Sequence, residues 1–128
     1  MDTNTIINLL LVLAVAWFIY RRFAPTKGLR ILRGKEFEQE LKADSNKMLI
    51  DVREPGEFRN GYIPSAVNIP LSQLTNKLNE IPKDKSIYLY CQSGMRSKQA
   101  ARVLSKQEYA KLAHLQGGIL AWRGQVRK

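Results

Sequence analysis

The stretch SIYLYCQSGMRSK, Ser86–Lys98, changes character twice within a few residues. Ser86–Tyr90 is rich in Ile, Leu and Tyr and suits a strand; the residues after Cys91 are small, polar and basic. A helical period follows, in which Ala100, Val103, Leu104 and Gln107 share one face. The same alternation extends outward in both directions. Leu29–Leu32, Met48–Val52, Ala66–Ile69 and Leu112–Leu115 read as four further strands, and MLIDV in particular is a continuous apolar run of the kind buried on both faces. Phe37 and Leu41 share a face of one short helix. Leu71, Leu74 and Leu78 mark another, with Ser72 near its start and Pro82 beyond its end. Gly117-Gly118 closes the last strand, and Ile119–Trp122 begins a final short helix. Five strands alternating with helices predict an α/β sandwich around a mostly parallel sheet. Ligands of such sheets bind beyond the carboxyl ends of the strands, where Cys91 stands.

At 128 residues the chain has room for one domain with a real core. Cys91 is the only cysteine, so an internal disulfide framework is excluded, and a free thiol suits a reducing compartment. His114 is the only histidine; no Cys or His pair has metal-ligand spacing, so no structural metal site is expected. His114 lies in the apolar run AHL and reads as a structural residue.

The net charge of +10 is unevenly placed. Arg21, Arg22, Lys27, Arg30, Arg33 and Lys35 form a basic collar with no acidic residue among them. Nucleic acid is not the expected partner, because the interleaved aromatics of a single-strand binder are missing. What precedes the collar points to a bilayer. Thr3–Tyr20 is free of charge over 18 residues, and its strictly apolar part rises about 22 Å as a helix. Arg21 and Arg22 are placed to snorkel, with Trp17 and Tyr20 at the interface. Ala14-Val15-Ala16 resembles a signal cleavage site, yet MDTNT has no basic residue and the apolar run continues through Trp17, Phe18 and Ile19. A buried core helix is the other reading, and an all-round apolar helix beside a basic collar fits a small core poorly. The expectation is one membrane helix with its basic flank over 1–22, a linker over 23–28 and a domain over 29–128. One-sided positive charge puts the N-terminus outside and the domain in the cytoplasm, with the collar facing anionic lipid.

A thiol is a nucleophile as its anion, and free cysteine titrates near 8.5, so a working site has to favour the charged form. A turn through Gly94 curls backbone N–H groups inward, a helix N-terminus adds its dipole, and Arg96 adds a permanent cation. The bland alternative is a packed cysteine at a strand end.

A second segment, Asp51–Pro70, carries a resemblance. Asp51-Val52-Arg53, Glu57-Phe58, Gly61-Tyr62-Ile63-Pro64-Ser65-Ala66 and Asn68-Ile69-Pro70 follow the order of motifs in rhodanese-homology domains, Cys91–Ser97 resembles their catalytic loop, and Gly117-Gly118 with Ala121-Trp122 resembles their C-terminal signature. The likeness covers about 29–123; short anchored members are familiar from bacteria. Tyr62 stands where the family has histidine, and Ser65 where it has glycine. The resemblance implies a rhodanese-like sandwich with a five-stranded sheet, preceded here by the membrane helix. It also implies a sulfurtransferase that moves sulfane sulfur from a donor such as thiosulfate to a thiol or other thiophilic acceptor, through a persulfide on Cys91 and with no metal or organic cofactor. Gln92, Ser93, Gly94, Met95, Arg96 and Ser97 then bind substrate, the loop amides stabilising anionic sulfur and Arg96 the donor's oxyanion. Asp51, Arg53 and Glu57 support the site: Arg53 is spaced to pair with Glu57, and Asp51 to accept N–H bonds from a neighbouring loop. The fold is shared with cysteine phosphatases and arsenate reductases, whose loops place five residues between cysteine and arginine. Here there are four, which favours a sulfur atom over a tetrahedral oxyanion. A docking, redox-sensing or sulfur-sensing module without turnover is the remaining alternative.

Overall fold

The computed structural model describes residues 1–128. Five strands, β1 (Leu29–Leu32), β2 (Lys47–Asp51), β3 (Val67–Asn68), β4 (Ser86–Tyr90) and β5 (Leu112–Leu115), form one all-parallel sheet in the order β1-β5-β4-β2-β3. Four α-helices accompany them: α1 (Thr3–Phe23), α2 (Gly34–Ala43), α3 (Pro55–Arg59) and α4 (Met95–Lys106). β4 is central, and its period of two divides the core. Ile87, Leu89 and Cys91 point to the face covered by Ala100, Ala101 and Leu104 of α4, whereas Tyr88 and Tyr90 point to the face covered by Phe37 and Leu41 of α2. Phe37 is fully buried, with its ring edge-on to Tyr88 at 5.6 Å.

The expected strands are all present, and two expected helices differ in kind. Leu71–Glu80 is a 3₁₀ helix broken at Lys77 (φ −121°, ψ 20°), and only Leu74 of its leucines is fully buried. Pro70 and Pro82 bound this crossover; 3₁₀ turns rise about 2.0 Å per residue against 1.5 Å, so the same residues reach further between β3 and β4. The last helix is likewise a single 3₁₀ turn, Ile119–Ala121. α3 has no counterpart in the sequence reading. Pro55 opens it, and the Glu54 backbone N–H donates to Glu57 Oε1 at 3.0 Å in a capping box.

α1 is a 21-residue helix with none of its residues buried in the protein, long and apolar enough to cross a membrane. Its end and the segment after it are tied to α4: Arg102 Nη2 donates to the Arg22 carbonyl at 3.2 Å and the Ser105 hydroxyl to the Lys27 carbonyl at 2.8 Å. β1 begins just beyond, so in an all-parallel sheet every strand starts on the side of α1 and ends on the far side.

Candidate active site

Cys91 follows β4 directly and is buried, with 1% of its surface exposed. The chain then turns through Gln92, Ser93 and Gly94, and α4 starts at Met95. Gly94 has φ 110°, a conformation that costs a side chain dearly, and this turn brings its N–H to within 3.0 Å of Cys91 Sγ. Gly94 is thus the amide that meets the sulfur. Ser97, fully buried in the first turn of α4, lies 3.6 Å from the sulfur through its hydroxyl. Gln92 is half-buried, while Ser93 and Met95 are exposed at the rim.

The loop rests on the segment after β5. Ile119 N–H donates to the Cys91 carbonyl at 2.9 Å and Leu120 N–H to the Gln92 carbonyl at 3.2 Å. Gly118 makes this approach possible: a Cβ there meets Gln92 O at 2.3 Å and Cys91 O at 2.6 Å. The glycine pair in the sequence therefore serves as the floor of the loop.

Asp51 and Arg53 form a buried pair beside it, exposed by 0% and 4%. Arg53 Nη2 and Nε donate to the Asp51 carboxylate at 2.7 and 3.0 Å, and the Arg53 backbone N–H donates to the same group at 2.9 Å. The guanidinium also reaches the Gly61 carbonyl at 2.6 Å and Gln92 Oε1 at 3.3 Å, so it links β2, the Gly61 turn and the loop. The expected Arg53–Glu57 pairing is corrected here. Arg53 pairs with Asp51 because both side chains are buried at the end of β2, whereas Glu57, held on α3, faces the loop and takes Arg96. Asp51 accepts from Arg53 both through the guanidinium and through the backbone N–H of the segment that follows β2.

Arg96 Nη1 and Nη2 donate to the two Glu57 oxygens at 2.7 and 2.9 Å, with both side chains about one-third exposed. The Arg96 hydrogen bonds hold the Glu57 carboxyl well below its usual range, at about 2, against a smaller opposing effect of burial. This ion pair stands at the mouth of the site. Arg53, Glu57, Gly61, Gln92 and Ile119 line a cleft of ≈ 380 Å³ next to the loop. A larger cavity, ≈ 750 Å³, lies between α2 and the C-terminal segment and includes none of the loop residues.

The sequence profile of the rhodanese-like domain matches residues 34–125. The chain belongs to the rhodanese-like domain family. It is 42% identical over 120 residues to the uncharacterized protein YqhL of Bacillus subtilis (strain 168), covering 93% of this chain and 94% of that one. It is 39% identical over 88 residues to a sulfurtransferase of Allochromatium vinosum, covering 69% and 82%. Among solved structures, a rhodanese-related protein from Thermoplasma volcanium superposes with a TM-score of 0.68 at 31% identity over 77% of this chain and 97% of the other. These relatives support sulfur transfer as the general activity.

The two departures of this rhodanese-like domain from the family pattern sit in the turn between α3 and β3. Tyr62 stacks on Phe58 with ring centroids 4.3 Å apart and exchanges paired backbone hydrogen bonds of 2.8 Å with Arg127, pinning the C-terminal tail. Ser65 adopts φ 73°, a left-handed conformation that glycine takes without penalty. His114, read from the sequence as structural, is buried on β5 with its Nδ1 2.9 Å from Ser97 Oγ. Alternation carried the missed signal: Leu112 faces α4, so His114 two residues on does too, and it lies opposite Leu89 of β4.

Proposed function

We propose that this protein is a membrane-anchored sulfurtransferase, with α1 as a single-pass anchor, the N-terminus outside and the domain in the cytoplasm. In this reading 1–22 span and flank the bilayer, 23–28 link, and 29–128 carry the chemistry. The basic collar lies against anionic lipid. The observation that carries the catalytic reading is the Gly94 N–H on Cys91 Sγ at 3.0 Å, a backbone donor aimed at a sulfur beyond the carboxyl end of the central strand.

The Cys91 thiolate attacks the outer sulfur of thiosulfate. A sulfur–sulfur bond forms, the bond to the sulfite group breaks, and its electron pair leaves with sulfite. Cys91 then holds a persulfide whose terminal sulfur carries the negative charge. An acceptor thiolate attacks that terminal sulfur and returns Cys91 to its thiolate, two small barriers replacing one large one. Arg96 meets the donor's oxyanion by exchanging it for Glu57, while Asp51 and Arg53 hold the loop. Four residues between Cys91 and Arg96 support a cradle for sulfur over one for phosphate. Carbonate-washed membranes bearing the full chain test the whole reading. Thiosulfate-to-cyanide transfer is expected to stay with the membranes and vanish in Cys91→Ser, with negligible aryl phosphate hydrolysis; phosphatase activity without sulfur transfer reverses the class, and activity released by the wash removes the anchor.

A further inference from the structure

Beneath the loop, the hydroxyl of Ser97 has three polar neighbours: the Gly94 carbonyl at 3.1 Å, His114 Nδ1 at 2.9 Å and Cys91 Sγ at 3.6 Å. A hydroxyl donates one hydrogen bond and accepts two. The carbonyl can only accept, so in the resting thiol it takes the Ser97 proton. Both remaining neighbours must then donate, Cys91 through S–H and His114 through Nδ1–H. This assigns the histidine tautomer. Nε2 is then a bare acceptor, in accord with its being the one buried side-chain polar atom that has no partner. Burial, and to a lesser degree the nearby Lys98 charge, lower the His114 pKa to about 4, so the ring is neutral.

Ionisation of Cys91 changes the sulfur from donor to acceptor, and only the Ser97 proton is placed to follow. The Gly94 carbonyl can release it, because it keeps the Lys98 N–H at 3.2 Å. We propose that His114 is a positioning residue for sulfur transfer: its Nδ1–H fixes and polarises Ser97 Oγ, so that the hydroxyl turns from the Gly94 carbonyl to the sulfur whenever Cys91 is anionic. Ser97 thereby joins the Gly94 amide as a second donor to the charged sulfur. No covalent bond changes; one hydrogen bond moves from oxygen to sulfur. The inference rests on Cys91 being the working thiol.

Alkylation of Cys91 by iodoacetamide in the full chain, held in detergent micelles near neutral pH, reads the thiol without any sulfur donor. It therefore separates failure of this relay from failure of the sulfurtransferase reading. Losing a hydrogen bond to a charged group slows a reaction about tenfold or somewhat more. Ser97→Ala and His114→Leu are each expected to slow alkylation about tenfold, and the double variant no further than Ser97→Ala, because His114 acts through Ser97. His114→Asn places an amide N–H where Nδ1–H stood and is expected to restore the rate to within about twofold. In thiosulfate turnover the same losses are expected in kcat with KM little changed. A wild-type alkylation rate in His114→Leu, an Asn variant as slow as the Leu variant, or losses that multiply in the double variant would overturn the proposal. If His114→Leu does not fold, Ser97→Ala, which lacks a single oxygen, decides: a wild-type rate there is equally contrary.

Discussion

Glu57 and Arg96 show how two charges at one mouth are placed by different elements. Arg96 sits in the first turn of α4, but its guanidinium turns from the loop to a carboxylate that α3 holds across the cleft. An anionic donor must displace that carboxylate to reach the cation. Glu57→Gln keeps the shape and removes the competing charge, so the KM for thiosulfate is expected to fall about threefold to tenfold, on the scale of a partly exposed ion pair with hydrogen bonds. Steady-state kinetics check this, and an unchanged or higher KM would mean that Glu57 orients Arg96 and does not compete for it. The sequence makes Cys91, Gly94 and Arg96 conspicuous because a lone cysteine, a turn glycine and a cation stand together. It does not show which carboxylate meets which arginine: the spacing of Arg53 and Glu57 satisfies a helical pairing, but Arg53 precedes the helix and is buried at the end of β2. His114 is hidden for the opposite reason, since an apolar setting reads as packing until the strand's neighbours are known.

Elements position the loop through backbone contacts more than through side chains. β4 delivers Cys91, α4 carries Ser97, and the turn after β5 supports the loop by two amide hydrogen bonds to the Cys91 and Gln92 carbonyls. Gly118 lies directly under those carbonyls. Gly118→Ala therefore forces backbone apart, and activity is expected to fall more than tenfold together with a loss of about 1–3 kcal/mol in stability. Parallel urea unfolding and turnover assays measure both; wild-type activity in the variant would show that the loop does not depend on this support. The strands are legible because runs such as MLIDV, which supplies most of β2, are continuously apolar, as a doubly covered sheet requires. The kind of helix at 71–80 is not legible, because leucines three and four apart suit α and 3₁₀ turns alike. α3 is too short for periodicity; its signature is instead Pro55 followed by Glu57 as a cap.

Across the whole molecule, parallel strands and the short connection between Phe23, where α1 ends, and Leu29, where β1 begins, put the Cys91 loop at the end of the domain remote from α1. The order β1-β5-β4-β2-β3 was not legible, because local patterns mark strands without naming their neighbours. Burial of a neutral histidine in this sheet also links the fold to pH. His114 has an ordinary value of 6.5 lowered to about 4, so the unfolded chain binds the proton more readily between these values. Stability is then lost as pH falls from about 6.5 to about 4. Glu57, lowered from 4.5 to about 2 chiefly by Arg96, adds a second loss over that lower range. Urea unfolding of the full chain across pH is expected to show both limbs, and His114→Asn to flatten only the upper one; an unaltered upper limb would assign it to other groups. The central claim is that Cys91 carries sulfur, and intact-mass spectrometry after incubation with thiosulfate reads it directly. The wild-type chain is expected to gain one sulfur atom that cyanide or a thiol removes, and Cys91→Ser to gain none; a wild-type mass that never changes with thiosulfate or any other sulfane donor, or a serine variant that gains the same sulfur, would contradict it.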